Sequence, residues 1–112
     1  MIKKLVTITA LAMLLGSSGS YAGFRSGNNL ANDCKNDDDE FSDGVCYGYV
    51  MAVTDLMLWV NPNVKLCAPS EATGGQVVAI VRKFLEEHPE MLHQDAELLV
   101  MGALLKAFPC PE

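Results

Sequence analysis

The 112-residue sequence predicts an all-α protein, a small four-helix up-down domain stapled by two disulfides. Three observations carry this. Apolar residues recur at i, i+3, i+4 and i+7 in the longer segments, the period of a helix with one face buried. No segment alternates apolar and polar residues as a half-buried strand does. Four cysteines follow an export signal, and an even count in a small exported chain reads as disulfides.

The export signal is residues 1–22. Lys3 and Lys4 form a basic start, Leu5 to Leu15 is apolar and uncharged, and a small-residue stretch ends in Ser20-Tyr21-Ala22. Ser20 and Ala22 stand at −3 and −1 of the expected cut. The apolar run is about half the ~20 residues that a membrane helix needs, so cleavage is expected rather than anchoring. Residues 23–112 are then the working domain, outside the cytoplasm. This part holds six basic and 14 acidic residues, a formal charge of −8. Such a domain has no electrostatic footprint for nucleic acid or anionic lipid. It suits solubility or a basic partner.

The first helix, about Ser26 to Cys34, is short, with Leu30 and Ala31 as its apolar residues. The second is expected to start at a cap, Ser42 or Asp43. Val45, Cys46, Tyr49, Val50, Val53, Leu56, Met57 and Val60 then repeat at helical spacing until Asn61-Pro62-Asn63 stops them. Lys35 to Asp43, with Asp37-Asp38-Asp39-Glu40 at its centre, has no periodicity and reads as a solvated loop. The third helix opens on a capping box, Thr73-Gly74-Gly75-Gln76. It carries Val77, Ile80, Val81, Phe84 and Leu85 and ends at His88-Pro89. The fourth carries Leu92, Ala96, Leu99, Val100, Ala103, Leu104 and Ala107, with Pro109 and Pro111 beyond it.

Short connections make neighbouring helices antiparallel, and this fixes the cysteine pairing. Cys34 closes helix one and Cys46 opens helix two, at one end of a hairpin. Cys67 precedes helix three and Cys110 follows helix four, again at a common end. Cys46 with Cys67 would have to span helix two, roughly 20 Å at 1.5 Å per residue, where a disulfide tolerates about 7 Å between Cα atoms. The expected bridges are therefore Cys34–Cys46 and Cys67–Cys110. Zinc is disfavoured, because its sites use closely spaced cysteine pairs.

The residues give no catalytic set. Paired cysteines leave no thiol for a Cys–His nucleophile. His88 and His93, at i and i+5, do not share a helix face as metal ligands do. The Thr73 to Gln76 loop lacks the glycine spacing and lysine of a phosphate cradle. Asp55, the one acid inside an apolar helix, is expected on its solvent side or paired with a Lys or Arg. Trp59 and Met57 read as core or oligomer contacts. No enzyme, cofactor or metal is implied; the chain reads as a helical binding module.

Several segments also resemble the Rap/Tai immunity family. They are Phe24-Arg25-Ser26-Gly27-Asn28-Asn29-Leu30 with Cys34, and Cys46-Tyr47-Gly48-Tyr49-Val50-Met51-Ala52-Val53-Thr54-Asp55. In the second half they are Cys67-Ala68-Pro69, Gln76-Val77-Val78, Phe84-Leu85-Glu86-Glu87-His88-Pro89-Glu90, Ala103-Leu104 and Ala107-Phe108-Pro109-Cys110. The order and spacing of these pieces carry the resemblance, and Ala52 departs from it where glycine is expected. The resemblance implies a small periplasmic helical protein, commonly a homodimer. Such a protein neutralises a type VI secretion effector, a papain-like peptidoglycan amidase, by occluding its active-site cleft.

An inhibitor of that kind needs a rigid surface element. The helix three to four junction is the candidate, with Glu86, Glu87, His88, Glu90, His93 and Gln94 as partner-binding residues. Pro89 fixes its backbone and so lowers the cost of ordering it. The dimer contact is expected from apolar residues of the helices, with Met51, Met91 and Met101 as examples. A periplasmic acid-stress chaperone is the alternative reading, since such chaperones are also small, helical, stapled and dimeric. They are usually richer in lysine than this chain.

Overall fold

The computed structural model describes residues 23–35, 38–59, 63 and 65–112. The expected signal peptide, residues 1–22, lies outside the described residues, as do Asp37 and Val60. Four α-helices follow in order: α1 (Gly27–Asp33), α2 (Glu40–Trp59), α3 (Gly74–Glu87) and α4 (Ala96–Ala107). A single 3-10 turn, Pro89–Met91, stands between α3 and α4. Among the described residues there is no strand, only an isolated bridge between Ser26 and Asp95. The all-α expectation holds, and so do both disulfides, Cys34–Cys46 and Cys67–Cys110, with Cα atoms 5.0 and 4.9 Å apart.

A helix of seven residues is too short to persist alone, so α1 depends on what holds it. Ser26 and Asn29 form a capping box: the Asn29 N–H donates to Ser26 Oγ at 3.2 Å, and the Ser26 N–H to Asn29 Oδ1 at 3.1 Å. The Gly27 and Asn28 N–H groups donate to the carbonyls of Gln94 and Leu92, both at 2.7 Å. These are the orphan donors of a helix start, and here the far end of the chain satisfies them. Arg82 Nε donates to the Cys34 carbonyl at 2.6 Å at the other end. Arg25 pairs with Asp33 across the helix. Leu30 and Cys34 are buried between α1 and the other helices.

The start of α2 corrects the sequence reading. The cap is Asp39, not Ser42 or Asp43, and Glu40 to Asp43, expected in a loop, form the first turn of the helix. Asp39 Oδ1 accepts from the Phe41 and Ser42 N–H groups at 3.1 and 3.4 Å, and Asp39 Oδ2 accepts from Ser42 Oγ at 2.8 Å. Part of the acidic run is thus structural, because a carboxylate at a helix start also meets the positive end of the dipole. The Ser42 hydroxyl and N–H hold the Asp39 carboxyl below its ordinary value. A depressed value in the folded state means a stabilising contribution present above the ordinary carboxylate range and lost as pH falls through the folded value. The Tm advantage of the wild type over Asp39→Ala should therefore shrink on acidification from neutral pH towards pH 3, read by thermal melts across a pH series.

The capping box predicted for α3 is present: Thr73 N–H donates to Gln76 Oε1 at 2.8 Å, and Gln76 N–H to Thr73 Oγ1 at 3.2 Å. Helix four starts later than predicted, at Ala96. Leu92 lies in the turn before it, where Pro89 has interrupted the backbone ladder. The core is formed by Leu30, Val50, Val81, Leu99, Val100 and Leu104, with Cys34 and Cys46 among them. Each such apolar side chain contributes roughly 1.5–3 kcal/mol relative to exposure.

Three further assignments need correction or completion. Met51, Met91 and Met101 are not exposed extras but pack half-buried against the core. Trp59 is not core: it is 88% exposed, and Leu56, counted on the buried stripe, is 60% exposed. Asp55 is exposed, as expected from its position in α2.

Candidate functional site

The junction expected to meet a partner runs from the end of α3 to the start of α4. Helix α3 ends because His88 leaves helical backbone, at φ −126° and ψ 58°, and Pro89 follows. The His88 ring stacks on Phe84, centroids 4.2 Å apart and planes 24° apart. Its Nδ1 lies 2.8 Å from the Phe84 carbonyl, so the imidazole covers one of the carbonyls left unpaired at a helix end. His88 is thereby half-buried and engaged with its own helix.

The rest of the junction is tied down backbone to backbone. Met91 N–H donates to the His88 carbonyl at 3.0 Å, and Gln94 N–H to the Met91 carbonyl at 3.0 Å. The Leu92 and Gln94 carbonyls accept from Asn28 and Gly27, and the Ala96 N–H donates to the Arg25 carbonyl at 3.0 Å. The turn is thus stitched to the start of α1. Gly27 makes this approach possible: a Cβ there would fall against Leu99 and lie 2.8 Å from the Leu92 carbonyl oxygen.

Once the junction is fixed in this way, Glu86, Glu87, Glu90 and His93 face solvent, while His88 and Gln94 are half-buried. Glu87 forms an ion pair with Lys83 at 3.8 Å, one turn back, a surface pair worth little by itself. The junction therefore presents a fixed acidic surface. Beside it lies a shallow groove of about 180 Å³ whose rim includes Lys35, Arg82, Glu86, Pro89 and Leu92. A larger groove, about 430 Å³, lies at the opposite end of α3 between Gln76, Ile80 and Phe108, away from the junction.

The described residues hold no free cysteine and no group of three or more His, Cys, Asp or Glu placed to hold a metal. None of the described helices is long and apolar enough to cross a membrane. Tyr49 Oη donates to Glu97 Oε2 at 3.2 Å between α2 and α4. Burial, with Glu97 beside it, raises the Tyr49 pKa, which keeps the phenol a donor. This bond serves packing between helices.

A disulfide-stapled helical scaffold with a backbone-fixed acidic turn is the class of domain that the described residues define. The match to known families then narrows the class. The family model of Rap1a immunity proteins covers residues 26–110, and the chain belongs to that family. Its partner is accordingly an effector protein. Comparison with curated proteins and with solved structures gives no match.

Sequence reasoning located the junction but missed its anchorage on α1, because the bonds run between backbone groups about 70 residues apart. It also missed an exposed apolar face on α2. Gly44 and Gly48, four apart in a helix, were the available signal.

Proposed function

We propose that residues 23–112, exported behind the residue 1–22 leader, act in the periplasm as an immunity domain. The target is a type VI secretion effector, a papain-like peptidoglycan amidase, and the domain inhibits it by occluding its active-site cleft. The observation that carries the site is the fixed acidic junction. Glu86, Glu90 and His93 are exposed on a turn that proline and long-range backbone bonds hold in place, so its ordering cost is met before binding. His88 and Gln94 position that surface. Two disulfides and no free thiol among the described cysteines fit an oxidising compartment.

Interface energy concentrates in a few residues. Glu90→Ala and His93→Ala should each weaken inhibition by roughly 1–3 kcal/mol if they are anchors, in a titration of residual amidase activity against inhibitor. Lack of any inhibition by the wild type, together with suppression of protein aggregation near pH 2–3, would replace this reading with the acid-stress chaperone.

The protein is further proposed to be a homodimer. With the three methionines turned inward, Leu98 and Leu105 on α4 are exposed apolar residues available for that contact. Light scattering should give about twice the protomer mass, and a monomer at micromolar concentration would remove the dimer without touching the function.

A further inference from the structure

The solvent face of α2 is unlike that of the other helices. Phe41, Gly44, Gly48, Ala52, Asp55 and Trp59 recur at three- and four-residue steps along it. The buried residues of the same helix, Cys46, Val50 and Met57, lie on the opposite side. Phe41 is 79% exposed and Trp59 88%. Large aromatic residues thus stand at the two ends, about 27 Å apart along the axis at 1.5 Å per residue, with the smallest residues between them.

Nothing in the fold requires those glycines. A Cβ built on Gly44 or Gly48 meets no atom within 4 Å. Glycine inside a helix is unfavourable relative to alanine, and two at exposed positions of one helix are a cost without an intramolecular return. What a missing Cβ does permit is close approach of another chain's backbone.

Charge decides which chain. Asp55 lies within the face, Asp43 lies off it with its carboxylate 3.9 Å from Arg82, and no Lys or Arg occurs between Lys35 and Lys65. A second copy docked here about a two-fold axis at Gly48 would set Asp55 beside its partner's aromatic end. It would bury one carboxylate per protomer with no cation from either α2. An uncompensated buried carboxylate is strongly unfavourable. A protein segment with an apolar ridge flanked by Lys or Arg fits the same surface without that penalty.

We propose that this face of α2 is a second effector-docking surface, which receives a lysine- or arginine-flanked apolar segment of the effector while the junction covers the cleft. The proposal rests on the immunity reading above. Its test uses the mature, oxidised protein and the type VI papain-like amidase that it inhibits, with binding measured by calorimetry. Trp59→Ala and Gly48→Leu should each weaken binding at least tenfold. Asp55→Lys should slow association and flatten its dependence on salt. Gly48→Ala should raise the melting temperature, which separates loss of docking from loss of fold.

Wild-type affinity in the three docking variants, alongside weakened Glu90→Ala, would overturn the α2 surface and leave the function standing. If the wild type binds no amidase, both fall. If Trp59→Ala halves the mass in solution while each protomer still binds effector as before, a second copy covers this face and the proposal is wrong.

Discussion

Replacing Cys34 and Cys46 together with serine is expected to cost more stability than replacing Cys67 and Cys110, although it opens the shorter loop. Loop entropy alone ranks them the other way. The bridges are 12 and 43 residues apart in sequence, which corresponds to about 3 and 4 kcal/mol. Burial reverses the order. Cys34 and Cys46 are 1% and 0% exposed and belong to the core, whereas Cys67 is exposed. Two serines in the first pair would bring hydroxyls into apolar surroundings, at about 1–3 kcal/mol for each one left without a partner. The sum approaches the total stability of a domain this size, about 5–15 kcal/mol. Urea denaturation of the two double variants provides the measurement. A lower midpoint for the Cys67/Cys110 variant would show that loop closure outweighs burial here.

Gly27→Ala is expected to be the most damaging methyl addition among the described glycines. The new Cβ would press on Leu99 and on the Leu92 backbone, 2.8 Å from its oxygen and 3.0 Å from its Cα. Leu99 can rotate, but the Leu92 backbone cannot yield without lengthening the 2.7 Å bonds from Gly27 to Gln94 and from Asn28 to Leu92. Overpacking costs about 1–3 kcal/mol, and each backbone group left unpaired adds about 1–3 kcal/mol. A loss of about 2–5 kcal/mol follows, readable by chemical denaturation. The same variant, refolded at low temperature, should inhibit the effector poorly, because the junction loses its tether. Gly27 φ is not positive, so the requirement is for space and not for an unusual backbone angle. A Gly27→Ala protein as stable as wild type would mean that α1 can slide outward at little cost.

Local rules were enough for most of the architecture. The period of Val77, Ile80, Val81, Phe84 and Leu85 reports a buried face because that face is a property of one segment. The Thr73–Gln76 box likewise closes within four residues. The cysteine pairing was legible because antiparallel geometry leaves one connectivity with short reaches. Three features failed the same test for one reason. The capping role of Asp39 is hidden by competition among five neighbouring Asp and Ser residues, all able to cap. Leu92 matches the α4 period, yet Pro89 and the stitch to Asn28 hold it in a turn. Met51 and Met101 look surplus on a helical wheel, but both pack half-buried against the core, which a single segment's period does not show. In the candidate site, the exposure of Glu86, Glu90 and His93 was readable from charge and turn chemistry. The anchoring of His88 on Phe84 and of Gln94 on Gly27 was not, since neither residue type announces its partner.

The stitch between residues 25–28 and 92–96 also sets an order of events during folding. The chain emerges from its amino end, so α1 is made first. Its leading N–H groups nevertheless wait for the carbonyls of Leu92 and Gln94, and its only covalent staple waits for Cys46. Until the rest of the chain is in place, the first helix has no way to be the first structure. Helices α2 and α3 have their own caps and carry apolar faces, so they can collapse earlier, and α1 closes over them last. Leu30→Ala should accordingly accelerate unfolding and leave the refolding rate almost unchanged. The helix that comes first in the sequence is the latch that shuts the finished domain.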